Sequence, residues 1–280
     1  MRYPVKVCKG IVPKFIRKIL PTCYNPAFIL KDNVNDTEFS NAMQSFKFGK
    51  TFKSTRHNRF PETLELIKTH FYNKSPIILD IGASDGVTSC DVINNLNFRR
   101  YFVTDYNIHA LYYEVLGFTF FFNNKKEILL ASCNLFVVFN DLDECFYILR
   151  ILLNKFFCFI AKYIQPTNIV TLINPRLRKM LNNNILFLKY SLFEDWNLDK
   201  PDLIICANIL NHEYFTEEEL VEGIRSIKTT QKDGSILVLI DNRENEQSSV
   251  LKYSNGIYQL LYRVGIGSDV ESLFLGYTNG

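Results

Sequence analysis

Short apolar runs alternate along the chain with stretches in which apolar residues recur every three or four positions, the signatures of buried strands and of helices packed on them. In SPIILDIGASDGVTSCDVINNL, residues 75–96, an apolar run over 77–79 ends on Asp80, passes a turn holding Gly82 and Gly86, and resumes at helical spacing. RRYFVTDYN, 99–107, holds a second buried run that ends on Asp105. Strand, helix and strand within about 30 residues predict a βαβ unit with a right-handed crossover. Two clearer runs, PDLIICAN at 201–208 and GSILVLIDN at 234–242, flank the helical TEEELVEGIRSIKTT, where Thr216 followed by Glu219 spells a capping box. The tail SVLKYSNGIYQLLYRVG reads as two strands around Asn255-Gly256, a hairpin signal.

Between these segments, FTFFF and NLFVVFN read as strands and NIVTLIN as a strand before a helix starting near Pro175, after which comes ILFLKYSLFEDW. PETLELIKTHF puts Pro61 in a first helical turn, with Leu64, Ile67 and Phe71 on one face. The expected fold is α/β: a Rossmann-like sheet, mostly parallel and flanked by helices, with an antiparallel hairpin at its C-terminal edge. Residues 1–70 are expected to form a basic, proline-punctuated arm, with the amphipathic piece KFIRKIL, and a helical cap; 71–280 form the α/β domain, with an inserted segment at about 111–184.

Composition narrows the classes. At 280 residues and 47% hydrophobic, the chain can bury a sizeable core, which argues against disorder. A net charge of +3, from 32 basic and 29 acidic residues, leaves no general footprint for nucleic acid, and none is expected as a partner. Seven cysteines, an odd number without a Cys-x-x-Cys pair, and four histidines point to reduced thiols in a cytoplasmic protein, with no metal site. Arg2, Lys6 and Lys9 are not followed by an apolar run of signal-peptide kind, so secretion is not expected. The segment ECFYILRILLNKFFCFIAKYI, 144–164, is broken by Arg150, Lys155 and Lys162 and falls short of a ~20-residue uncharged span. Its apolar residues surround most of the helix, so burial or a partner is expected: the sheet, a homodimer surface, or a membrane surface to which the protein is peripheral.

The glycine turn carries the chemistry. A dinucleotide fingerprint needs glycines at its first, third and sixth positions, where this turn has Gly82, Ser84 and Val87. No Gly-Lys-Ser/Thr of a P-loop follows, and no Gly-x-Ser-x-Gly occurs anywhere. What stands is Asp-x-Gly-x-x-x-Gly, with Asp105 nineteen residues beyond Gly86 at the end of the next strand, where a carboxylate can accept from both hydroxyls of a ribose. Here the chain resembles the class I S-adenosylmethionine-dependent methyltransferases, with Ser84 in place of a middle glycine, over about 75–110 and 185–242. That cofactor has no phosphate and carries an ammonium and a sulfonium, so close backbone approach and a nearby carboxylate suit it.

The resemblance implies an S-adenosyl-L-methionine-dependent methyltransferase in which Asp80, Gly82, Ala83, Ser84 and Gly86 surround the methionine part and Asp105 takes the ribose. Ser191, standing where the family usually has an acid, would edge the adenine with Leu192 and Phe193, and Asn208 would begin a wall between donor and acceptor that runs to His212. His212 is the candidate general base, because an imidazole exchanges protons near neutral pH, with helix entry or packing as its other role. The basic stretch holding Lys50, Lys53, Arg56, His57 and Arg59 could grip an acidic substrate, close over the cofactor, or be a solvated loop. A small-molecule or lipid-like acceptor is expected, since the aromatic insert offers apolar walls. The other class to weigh is a catalytically inactive domain of this fold, serving as a binding module or a membrane-associated oligomeric one.

Overall fold

The computed structural model describes residues 4–9, 21–48, 51–53, 56–140, 147–242 and 245–276. The chain divides into two compact units, Thr55–Tyr106 with Arg176–Gly280, and Met1–Ser54 with Asn107–Pro175.

The first unit is built on seven strands: β1 (Ile77–Ile81), β2 (Arg100–Asp105), β3 (Ile185–Lys189), β4 (Leu203–Ala207), β5 (Ile236–Asn242), β6 (Glu246–Ser254) and β7 (Ile257–Val264). Their order across the sheet is β3-β2-β1-β4-β5-β6-β7. The first five are parallel, and β6 and β7 continue antiparallel, so the βαβ reading and the C-terminal hairpin both hold. Leu203 sits opposite Ile78 and Ile77 opposite Arg100, which makes β1 the middle one of the five parallel strands. All five of its residues are buried, as a parallel strand covered on both faces requires. The order 3-2-1-4-5 is the doubly wound one, and it reverses between β1 and β4; ligands of such sheets lie outside the carboxyl ends of the strands at that point.

The helices of this unit are α1 (Pro61–His70), α2 (Val87–Asn95), α3 (Pro175–Met180), α4 (Glu217–Thr230) and α5 (Glu271–Leu275). The box between Thr216 and Glu219 caps α4, which packs Leu220, Ile224 and Ile227 on Ile204, Cys206, Leu237 and Leu239. Pro61 opens α1, whose first amides, those of Glu62 and Thr63, donate to the Glu246 carboxylate at 3.1 and 2.7 Å. Asn255 and Gly256 both have positive φ, +52° and +82°, as the tight turn between β6 and β7 demands.

The second unit holds another seven-stranded sheet. Its order is Asn168–Thr171, His109–Val115, Phe118–Phe122, Ile128–Ser132, Phe136–Phe139, Val5–Cys8 and Thr22–Cys23. One face carries Phe39, Ala42, Met43 and Phe46, from and just beyond the helix Asp36–Met43, against Ala110, Phe121, Leu130 and Val137. The other carries Phe157 and Ile160 of the helix Tyr147–Tyr163 against Phe120, Phe122, Ile128 and Val138. The division expected from sequence, an arm and cap over 1–70 and an insert at about 111–184, is therefore redrawn. Val5–Cys8 pairs with Phe136–Phe139, so arm and insert build one sheet together. Pairing between strands so far apart leaves no local pattern to read. The piece KFIRKIL, 14–20, lies outside the described residues, as does Lys50.

Candidate functional site

At the end of β1 the chain enters a turn in which Gly82, Ser84 and Gly86 all have positive φ, +71°, +60° and +82°. Glycine takes this conformation freely, whereas at Ser84 it is strained, a condition that clusters where structure serves a ligand. The strain is compensated: turned this way, the Ser84 amide donates to Oδ2 of Asp105 at 2.9 Å, and the Ala83 amide donates to the Thr104 carbonyl at 2.8 Å. The turn after β1 is thus clamped to the end of β2. The Ser84 hydroxyl is buried there with no hydrogen-bond partner among the described residues.

The glycines also allow close approach. A Cβ on Gly82 would lie 2.4 Å from Cδ1 of Ile209, just beyond β4, and one on Gly86 would lie 2.1 Å from Cδ2 of Leu177 in α3. Leu177 is fully buried, so an apolar side chain covers Gly86 where α2 begins. An open helix start of the kind that cradles phosphate is not what this turn presents.

Asp80 lies beneath the turn, not on its surface. Its Oδ2 accepts from the Ser89 hydroxyl at 2.6 Å and the Tyr101 hydroxyl at 3.0 Å, and Thr104 Oγ1 donates to its carbonyl at 2.8 Å. Burial pushes the carboxyl up to about 6; the two hydroxyl donors pull it down and neighbouring Asp105 adds to the rise. Burial, with Asp80 beside it, also raises the Tyr101 phenol well above its ordinary range.

Across the reversal, Asn208 follows β4 with a φ of +56°, its amide donating to the Ile240 carbonyl at 2.8 Å. Buried Asn211 turns the chain by accepting from the amides of Glu213 and Tyr214 at 3.0 and 3.1 Å, which leaves His212 exposed between them. Beyond β3, Ser191 Oγ accepts from the Phe193 amide at 3.3 Å. Phe193 is partly exposed and meets Phe215 edge to face at 5.5 Å. Leu192 points elsewhere: it is buried in the core against Gly223 of α4. The basic stretch is split between the units. Lys53 is buried in the one, while in the other His57 lies 3.5 Å from Asp91 and 3.2 Å from Arg176, and the Asn58 amide donates to Asp91 at 2.7 Å. Arg59 is half-buried near Tyr214, and burial together with Arg56 lowers its guanidinium below the usual range.

Sequence reasoning missed Ser89, Tyr101 and Leu177; Ile209 and Asn211 lie within the 208–212 wall it named, but their contacts with Gly82 and with the 213–214 amides were not foreseen. Tyr101 was within reach of it: parallel pairing of β1 with β2 sets Tyr101 opposite Ile78 and Val103 opposite Asp80, so Tyr101 and Asp80 share a face. Leu177 and Ile209 carry no such signal, because each meets its glycine only through the tertiary fold.

No protein family matches the sequence, and no curated protein does. Among solved structures, the chain aligns with an S-adenosyl-L-methionine-dependent methyltransferase from Methanococcus maripaludis at a TM-score of 0.35 and 14% identity, over 75% of this chain and 64% of that one. It aligns with the N-methyltransferase NodS from Bradyrhizobium japonicum, in complex with S-adenosyl-L-homocysteine, at 0.32 and 12%, over 66% and 62%. With the amino pentose methyltransferase CalS10 from Micromonospora echinaspora the values are 0.34 and 8%, over 77% and 79%. The aligned part spans less than two thirds of the first two chains.

Proposed function

We propose that the chain is a methyltransferase of the class I S-adenosylmethionine-dependent superfamily that acts on a small-molecule or lipid-like acceptor. The observation that carries this reading is the Ser84 amide held on the Asp105 carboxylate at the reversal of strand order. A cofactor lying there meets backbone from the turn and an acid from the next strand. With Leu177 packed against Gly86, an apolar side chain stands at the start of α2, a neighbour that suits an adenosyl cofactor without phosphate better than a pyrophosphate.

S-adenosylmethionine fits these residues. Asp105 would take the ribose hydroxyls, a carboxylate being able to accept several hydrogen bonds at once. The turn 82–86 would hold the methionine part, with Asp80 supplying negative charge from below in a low dielectric. Ser191 and Phe193 would edge the adenine, with Phe215 extending the apolar wall and Leu192 anchoring the loop from the core. Asn208 to His212 would face the acceptor, with Asn211 fixing the turn and exposed His212 as the candidate base. The cofactor, when bound, supplies an already activated methyl group; the chain's own work is to hold an acceptor in line and exclude water.

Incubating the protein with radiolabelled S-adenosylmethionine and fractionated lysate tests the reading. Label in the small-metabolite or lipid fraction is the expected result. Label in protein or nucleic acid would contradict the acceptor class, and cofactor binding without transfer to any fraction would mark a binding module instead of an enzyme.

A further inference from the structure

We infer that the helix Tyr147–Tyr163 seats the protein on an anionic lipid surface. Its inner side, Leu153, Phe157 and Ile160, packs on the sheet. Its outer side is apolar as well: Ile148, Leu152, Phe159 and Tyr163 are 74%, 60%, 61% and 64% exposed. Their spacing of four, seven and four residues sets them in one stripe along the helix, with partly exposed Phe156 beside it. The helix is about 25 Å long at 1.5 Å per residue, and no helix among the described residues is long and apolar enough to cross a membrane. An apolar stripe of this length facing water marks a surface that something covers.

The charges select the occupant. Arg150, Lys155 and Lys162 are the ionisable side chains of the helix apart from its tyrosines and cysteine, and it carries no acid. Lys155 and Lys162, seven residues apart, line one edge of the stripe. A second copy of the chain fits badly. In a twofold pairing along this stripe, parallel or antiparallel, Lys155 and Lys162 of each copy face a helix that has no acid to receive them. A lipid surface has no such conflict. The stripe sinks into the boundary between headgroups and acyl chains, the lysine stems lie along it, and their ammonium groups reach anionic headgroups. Tyr163 is of the aromatic kind that favours this depth, and Phe159 is of the kind that forms the buried face of such a helix. Asp141, Asp143 and Glu144 precede the helix in sequence, at least eleven positions before Lys155.

Flotation of the full chain with phosphatidylcholine vesicles, with and without phosphatidylglycerol, tests the inference. Binding is expected to the anionic vesicles, weaker as salt rises. Lys155→Glu with Lys162→Glu should reduce it by more than about 25-fold, about fivefold for each cation lost. Leu152→Ser with Phe159→Ser should reduce it by at least about tenfold, while thermal unfolding monitored by circular dichroism stays that of the parent, since both side chains face outward. Equal binding to neutral and anionic vesicles, no binding to either, binding untouched by both double variants, or a dimer that Leu152→Ser with Phe159→Ser abolishes would each overturn it.

Discussion

The backbone amide of Ser84 donates to the Asp105 carboxylate at 2.9 Å, so the strained turn after β1 is held in shape by the last residue of β2. Asp105→Ala leaves that amide without its acceptor, and a loss of about 1–2 kcal/mol of stability is expected in urea unfolding. Amide exchange over 82–86 should accelerate with it. Unchanged exchange there would separate the shape of the turn from Asp105.

Gly86 is fixed twice over, by its φ of +82° and by Leu177. Gly86→Ala should cost about 2–4 kcal/mol, the sum of left-handed strain and an overpacked contact. Combined with Leu177→Ala, which removes the clashing group, the pair should cost at least about 1 kcal/mol less than the two single losses added. Strict additivity in urea unfolding would contradict the contact.

Asp80 predicts a pH dependence. Its carboxyl rises from the ordinary 3.8 to about 6 in the folded protein. Between those values the folded state keeps a proton that the unfolded chain has released, so this residue makes stability fall as pH rises from about 4 to about 6, by at most about 3 kcal/mol, and contributes no further slope above. Asp80→Asn should flatten that window and leave the protein more stable than the parent at pH above it. A parent protein whose stability rises through the window while the variant's does the same would assign the acid transition to other groups.

Glu246 of β6 closes the open end of α1 by accepting from the amides of Glu62 and Thr63. Glu246→Ala should cost about 1–3 kcal/mol in thermal or urea unfolding, because those helix-start amides lose their acceptor. A variant as stable as the parent would show that water replaces the carboxylate without penalty.

What could be read from sequence was what the chain says locally. The box at Thr216 and Glu219, the Asn255-Gly256 turn and the apolar runs of β1, β2, β4 and β5 each encode their element within a few residues, and each is found in the fold. The pairing of Val5–Cys8 with Phe136–Phe139 has no such local code, which is why arm and insert read as separate pieces. At the site, the acid and glycines of the turn were visible as a pattern. Whether Asp80 faces a ligand or the interior was not, because that depends on Ser89 and Tyr101 arriving from two other elements. The apolar helix was visible too; that only one of its sides would be covered by the sheet was not.

The central claim is that the turn and Asp105 form a site for an adenosyl cofactor without phosphate, and isothermal titration with S-adenosylhomocysteine tests it most directly. The parent should bind one equivalent, Asp105→Ala should bind at least about tenfold more weakly through loss of charge-assisted hydrogen bonds, and Gly82→Val, which drives a side chain into Ile209, should abolish binding while circular dichroism reports a folded protein. No binding by the folded parent, or affinity untouched by Asp105→Ala and Gly82→Val together, would contradict it.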